Sequence, residues 1–276
     1  MLNNFLSLQL SGQHLPIVTL TSPGPIAFYI GHHPVRWYGV FIGIAFLIAY
    51  SLSEKLVDKN NLSINHFSNL IFFILISSVV FARLYFVLLS WNYFKIHPDE
   101  IPKIWHGGQS IHGGILGAVL ATVIYTWGNK ISFYKYMDVI ALVAPLGQAI
   151  GRWGNFFNNE AFGKPVISSF LRLYIPKEFR PELYLNNEFF HPTFLYESIL
   201  DFVFFIFLYR MFPSWKNTPG KTFWFYLFCY SLIRFLLEFL RTDSLYLFGN
   251  IPGAQIVSVI LISISIVALT TKRQKV

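Results

Sequence analysis

The chain has 276 residues, of which 54% are hydrophobic, 19% aromatic and only 12% charged, against roughly a quarter charged in an ordinary soluble domain. That balance excludes a soluble globular protein and makes chain length a measure of membrane spans. The formal net charge of +8 comes from basic residues scattered singly through short loops, which excludes a nucleic-acid-binding patch. The single cysteine, Cys229, excludes an intramolecular disulfide and a cysteine-based metal site.

The first thirty or so residues lack the positive start of a secretory signal, carry Pro and Gly breaks, and are expected to remain on the mature chain. No lipidation motif is visible at either end. Apolar runs between polar breaks then predict helices near 37–53, 68–90, 111–127, 137–150, 195–212, 222–240 and 252–270. The expected fold is therefore all-α, a polytopic integral membrane protein with about seven transmembrane helices. The fourth run is short and the third opens on HGGILG, so both are candidates for tilted or broken helices. Cys229, in the sixth, reads as a small buried apolar residue. Residues 151–194 read as an outer loop with a small periplasmic elaboration, and the whole of 1–276 as a single membrane domain.

Alternate loops differ in basic content. One set holds Lys55, Lys59, Lys130, Lys135, Arg210, Lys216, Lys221 and the tail Lys272, Arg273 and Lys275. The opposite short loops hold Lys95, Lys103 and Arg241, and residues 1–35 hold no Lys or Arg. The positive-inside rule then puts the N-terminus outside and the C-terminus in the cytoplasm.

Ionisable groups inside a membrane are costly unless they pair or line a wet cavity, so their depth matters. In this orientation Arg83 lies toward the outer end of the second span, His112 opens the third, Arg152 and Asn155 follow the fourth, and Glu197 begins the fifth. In the sixth, YSLIRFLLEFLR spaces Tyr230, Arg234, Glu238 and Arg241 along one helical face. These groups converge on the outer half of the bilayer. Asp138, near the inner end of the fourth span, reads as an interfacial cap. Taken singly, Arg83 is open between a structural partner and a site residue, Arg234 and Glu238 could be a structural pair, and His112 could be an interfacial histidine.

The segment GRWGNFFNNEAFG, from Gly151, gathers polar groups where a helix leaves the membrane. Arg152 presents a planar fork of donors suited to phosphate, and Arg234 is a possible second. Asn155 and Asn158 can donate to ester or phosphate oxygens, Glu160 can orient an arginine, and the glycines permit close backbone approach. Together they describe a phosphate cradle at the membrane surface.

This segment resembles the signature of the prolipoprotein diacylglyceryl transferase family. Similarity extends across nearly the whole chain, through VRWYG, ARLYFVL, IHGGILG, HPTFLYE and YSLIRFLLEFLR. One departure is Phe194, where family members often carry Gln. The resemblance implies an enzyme of the bacterial inner (cytoplasmic) membrane. It would transfer the diacylglyceryl group of phosphatidylglycerol to the lipobox cysteine thiol of a prolipoprotein, forming a thioether and releasing glycerol phosphate. Its partners would be that lipid, the prolipoprotein signal peptide and the bilayer, with no nucleic acid, no metal and no cofactor. The acceptor thiol belongs to the substrate, so Cys229 need not be a nucleophile.

Such chemistry must align a thiolate and neutralise charge on a departing phosphate. Arg152 and Arg234 are the expected phosphate ligands, and His112 the expected base. In the alternative, the arginines activate the thiol and His112 holds the headgroup. The resemblance also points to Tyr38, Asn155, Glu160, Tyr230 and Glu238 as binding or orienting residues, beside Arg83, Asn158 and Arg241. Rival readings are a small transporter or lipid flippase with an outward-facing polar cavity, and a membrane esterase or acyl transferase, for which no nucleophile–base arrangement stands out.

Overall fold

A computed structural model describes residues 6–9, 17–167, 169–248 and 251–271. Much of the N-terminal stretch and the basic tail of Lys272, Arg273 and Lys275 lie outside the described residues.

Among the described residues seven helices are 18 residues or longer: α1 (Trp37–Lys59), α2 (Ile64–Leu89), α4 (Ile111–Gly128), α5 (Phe133–Asn158), α6 (Thr193–Trp215), α7 (Lys221–Glu238) and α8 (Gly253–Thr270). A single turn, α3 (Trp91–Phe94), follows α2. Four of them, α1, α2, α4 and α8, are long and apolar enough to cross a membrane. Large side chains such as Leu47, Leu88, Ile124 and Val267 stand exposed on these four, as hydrocarbon contact requires. The other three, α5, α6 and α7, carry Arg152, Glu197, Asp201, Arg234 and Glu238; these charges lower their apolarity.

The chain divides into two compact units, one of residues 1–53 and 138–276, the other of 54–137. In the second unit α2 packs along α4. The close approach depends on Gly113 and Gly117, one turn apart. A Cβ on Gly117 would lie 2.5 Å from the Ser77 carbonyl oxygen, and one on Gly113 would strike the Phe81 carbonyl. Ser77 Oγ donates to the Gly117 carbonyl at 2.9 Å, so small residues and a hydroxyl hold the helices without hydrophobic drive. The HGGILG stretch, a candidate for a broken helix, is thus an unbroken helical contact face.

In the first unit α7 lies along α8 and against α6. Ser198 Oγ of α6 donates to the Ala149 carbonyl of α5 at 2.8 Å. The buried Asp138 carboxylate accepts from the Gly220 and Phe223 backbone N–H groups at 2.6 and 2.8 Å. It caps the start of α7 from another helix, as a carboxylate does at the positive end of a helix dipole.

Two expectations are corrected. The fourth helix does not stop near residue 150. It runs to Asn158, so the first eight residues of the polar segment at Gly151 are helical, and it ends where Asn159 and Ala161 take positive φ. The chain is also not purely helical. Strands β1 (Leu6–Gln9), β2 (Ile17–Thr21), β5 (Leu171–Tyr174) and β6 (Phe189–Phe190) form one sheet in the order β1-β2-β5-β6, while β3 (Ile26–Ile30) pairs with β4 (His33–Arg36) and β7 (Tyr246–Phe248) with β8 (Ile251–Pro252). In the four-stranded sheet β2 and β5 run parallel with Val18 opposite Leu171. Under it Phe156, Phe157, Phe162, Leu173, Ile175, Phe190 and Phe194 form a buried cluster, which anchors the end of α5 and the start of α6.

Candidate functional site

The site of the first unit is built where α5 ends, α6 begins and α7 ends. Arg152 lies six residues before the end of α5. Its Nη2 pairs with Glu197 in the first turns of α6, and the Glu197 side chain is only 3% exposed. One turn deeper, Asp201 is 1% exposed and neither carboxylate oxygen has a hydrogen-bond partner among the described residues. An unpartnered buried carboxylate is a costly feature. The same one-turn step recurs on the facing helices. Gln148 precedes Arg152 on α5 and donates to the Tyr226 hydroxyl at 2.9 Å, and Tyr226 stacks on Tyr230 with ring centroids 5.9 Å apart. Tyr230 lies within electrostatic reach of Arg152, Glu197, Arg234 and Asp201, charged groups carried by three different helices.

One turn beyond Tyr230, Arg234 Nη2 lies 2.8 Å from the Glu238 carboxylate. Its Nη1 is buried with no hydrogen-bond partner among the described residues. Glu238 also faces Arg241 Nε at 3.9 Å, and Arg241 grips Asp243 with bonds of 2.9 and 2.6 Å. Arg241 was expected on the helical face of the sixth span, but α7 ends at Glu238. Arg241 instead sits in a turn tied to the polar segment by a backbone bridge to Gly163. Lys164 N–H donates to the Leu240 carbonyl at 2.6 Å and Gly163 N–H to the His191 carbonyl at 2.9 Å.

At the end of α5, Glu160 accepts from the Asn155 amide at 2.9 Å and the Asn158 amide at 3.4 Å. Tyr38, in the first turn of α1, lies over Gly154: a Cβ there would come within 2.6 Å of Tyr38 Cδ2. Phe194, the departure in the HPTFLYE stretch, is buried and stacks on Phe156 at 4.9 Å. Cys229, expected to be buried, is half-buried in α7.

Nine of the expected site residues, Tyr38, Arg152, Asn155, Asn158, Glu160, Tyr230, Arg234, Glu238 and Arg241, belong to this unit. The other two belong to the second unit. His112 is exposed in the first turn of α4, its ring 6.3 Å from Tyr85. Arg83 is 6% exposed and donates to the carbonyls of Ile101, Gly107, Gly108 and Glu100 at 2.9, 2.7, 2.9 and 2.6 Å. It also lies 5.1 Å from the Phe94 ring centroid. With four of its five N–H donors on loop carbonyls, Arg83 holds the 100–108 loop, and geometry favours the structural alternative over headgroup binding. Sequence reasoning left two groups out of the site, Glu197 as the partner of Arg152 and Asp201 entirely. Two acidic residues spaced i,i+4 in an otherwise apolar helix were the available signal.

Apolar helices of membrane length and a buried set of arginine–carboxylate pairs define an integral membrane protein with an internal ionic site. Residues 25–271 match the prolipoprotein diacylglyceryl transferase family, and the chain belongs to that family. Proteins of Staphylococcus aureus strains JH9, JH1 and Mu50, each named phosphatidylglycerol-prolipoprotein diacylglyceryl transferase, are 42% identical over 252 residues, which cover 91% of this chain and 90% of theirs. The chain is accordingly a membrane transferase, and the transporter and flippase reading is set aside.

Proposed function

We propose that this protein transfers the diacylglyceryl group of phosphatidylglycerol to the lipobox cysteine thiol of a prolipoprotein, with Arg152 and Arg234 holding the phosphate that leaves. The sulfur forms a bond to a glycerol carbon as the carbon–oxygen bond to phosphate breaks, and the phosphate oxygen keeps the electron pair. The thiol proton passes to a base, for which His112 is the candidate, and is released when glycerol phosphate departs. The observation that supports the phosphate assignment is Arg234 itself: Nη2 is ion-paired with the Glu238 carboxylate, while Nη1 is buried without a hydrogen-bond partner among the described residues. A guanidinium N–H left unsatisfied in a buried site is costly unless an acceptor completes it, and a phosphate oxygen is the acceptor that this reading supplies. Arg152, fixed by Glu197, supplies a second preorganised fork, which stabilises developing charge without reorganisation. Asn155, Asn158 and Glu160 form a bonded group beside it, and Tyr38, Tyr230, Glu238 and Arg241 orient substrate or the arginines. The reading extends to topology: a single membrane domain of about seven crossings in the bacterial inner membrane, N-terminus outside, C-terminus cytoplasmic, site toward the outer leaflet. The 151–194 region, with its sheet, would be a periplasmic elaboration. The basic residues of alternate loops support that orientation.

Purified protein given phosphatidylglycerol and a lipobox peptide should add diacylglyceryl mass to the cysteine through a hydroxylamine-stable thioether. Arg152→Ala and Arg234→Ala should each lower kcat/KM by on the order of a hundredfold or more with folded protein retained. Near-normal turnover in both would defeat the phosphate assignment.

A further inference from the structure

Four acidic side chains are buried among the described residues: Asp138, Glu197, Asp201 and Glu238. Three of them are met. Asp138 accepts two backbone N–H groups, Glu197 faces Arg152 and Glu238 faces Arg234. Asp201 is the exception, since both of its oxygens are closed to solvent and neither has a hydrogen-bond partner among the described residues. The charged and titratable groups within electrostatic reach of it are Glu197 on its own helix, Arg152 on α5, and Tyr226 and Tyr230 on α7. None of them donates to it, and the Gln148 amide is spent on the Tyr226 hydroxyl.

The charges of the unit sharpen the contrast. Arg152, Arg234 and Arg241 pair with Glu197, Glu238 and Asp243, so these three cations are already balanced. Glu160 is exposed at the end of α5 and bonded by Asn155 and Asn158. An ionised Asp201 would therefore be a surplus buried negative charge one turn below the Arg152–Glu197 pair. Burying a charge without a partner costs far more than burying the neutral acid. An anion arriving at Arg152 raises that cost further, because like charges repel strongly in a medium of low polarity. Anion binding and protonation of Asp201 then favour each other, since such coupling is reciprocal.

We infer, resting on the transferase reading above, that Asp201 is a positioning residue that couples the headgroup phosphate to a proton: it takes one from solvent as the phosphate seats on Arg152 and returns it as the product phosphate leaves. Its oxygens are closed off, so it acts through charge and not by contact with substrate. The proton taken up is given back in each cycle, and the thiol proton follows its own route to the base. Once product has gone, the ionised carboxylate makes the field around Arg152 less cationic and opposes rebinding.

The test titrates full-length protein in phosphatidylcholine nanodiscs with glycerophosphoglycerol, the deacylated headgroup of phosphatidylglycerol, whose phosphodiester keeps its single charge near neutral pH. Calorimetry in two buffers of different ionisation enthalpy counts the protons taken up. Wild-type protein should take up a large fraction of one proton per headgroup at neutral to mildly alkaline pH. Its affinity should fall about tenfold as the pH rises through that range, the effect of one buried unit charge at an effective dielectric of about 20. Asp201→Asn should bind without uptake, at the affinity that wild-type protein shows at low pH, and Asp201→Glu should restore the uptake. Infrared spectra of ligand-free protein should show a protonated carboxyl that titrates over the same range, keeps its proton when the headgroup is bound, and is missing from Asp201→Asn. Absence of uptake in wild-type protein, or uptake that survives in Asp201→Asn, overturns the inference. So does a wild-type spectrum in which no such carboxyl titrates, whether or not the variants fold. Failure of wild-type protein to modify a lipobox peptide would instead refute the transferase reading; the infrared titration needs neither lipid nor turnover.

Discussion

Gly163 tests whether backbone proximity positions the site. A Cβ at this residue would lie 2.7 Å from His191 Cβ, 2.9 Å from Thr193 Cγ2 and 3.0 Å from the Leu240 carbonyl oxygen, where carbon contacts prefer about 3.5–4.0 Å. The obstructing atoms belong to a Cβ, a branched side chain at the start of α6 and a backbone carbonyl, none of which can swing aside. Gly163→Ala must therefore move chain segments apart, at about 1–3 kcal/mol for overpacking. If the segments separate, the bonds from Gly163 N–H to His191 and from Lys164 N–H to Leu240 weaken, at about 1 kcal/mol each. The total is about 3–5 kcal/mol. Arg241 rides on the same bridge and contacts Glu238, so the shift reaches the partner of Arg234. A displacement near 1 Å costs on the order of a hundredfold in rate. Thermal unfolding in detergent should show the lowered midpoint, and mass-spectrometric transfer assays on the remaining folded protein should show the loss of kcat/KM. A variant with wild-type midpoint and kcat/KM within about twofold would refute the reasoning.

Three further outcomes follow from particular side chains. Arg83→Gln should lose about 3 kcal/mol of stability, because several loop carbonyls lose a charged donor, yet leave the lipid KM of the folded fraction unchanged; normal stability with a raised lipid KM would restore Arg83 to the binding site. Asp201→Leu should raise the unfolding midpoint by removing a buried carboxylate without a partner, worth about 1–3 kcal/mol, while kcat falls at least tenfold if the carboxylate serves the site; unchanged kcat would remove it. Burial pushes the His191 imidazole below its ordinary range, so in mild acid the unfolded chain binds a proton that the folded chain refuses. Stability should then fall as pH drops below about 6.5, and His191→Gln should flatten that limb; identical profiles in unfolding scans would exclude His191 as its source.

The long helices were legible because an apolar run of membrane length leaves few alternatives. Their ends were less so. Arg152 to Asn158 read as loop because polar side chains usually mark a helix exit, yet here the polar groups lie on the last two turns of α5 and bond one another and Glu160. The sheet was hidden for a different reason: strands of two to five residues, with β2 joined in parallel to β5 about 150 residues away, leave little local periodicity to detect. Arg83 was ambiguous because its partners are backbone carbonyls, which any residue supplies. The Arg152–Glu197 pair joins residues 45 apart in sequence, a pairing that tertiary packing alone reveals.

The three helices that fall short of the apolarity of a simple span are the ones that carry the ionic groups. Each cation of the cluster has a carboxylate partner in the first unit: Arg152 has Glu197, Arg234 has Glu238 and Arg241 has Asp243. Such neutralisation limits the field available to hold an anion, since a buried cation left alone would bind phosphate far more tightly. It also lets each guanidinium be fixed in direction before substrate arrives. An enzyme that must release an anionic product gains from that arrangement: orientation favours the transition state, while the nearby carboxylates weaken the grip on the product.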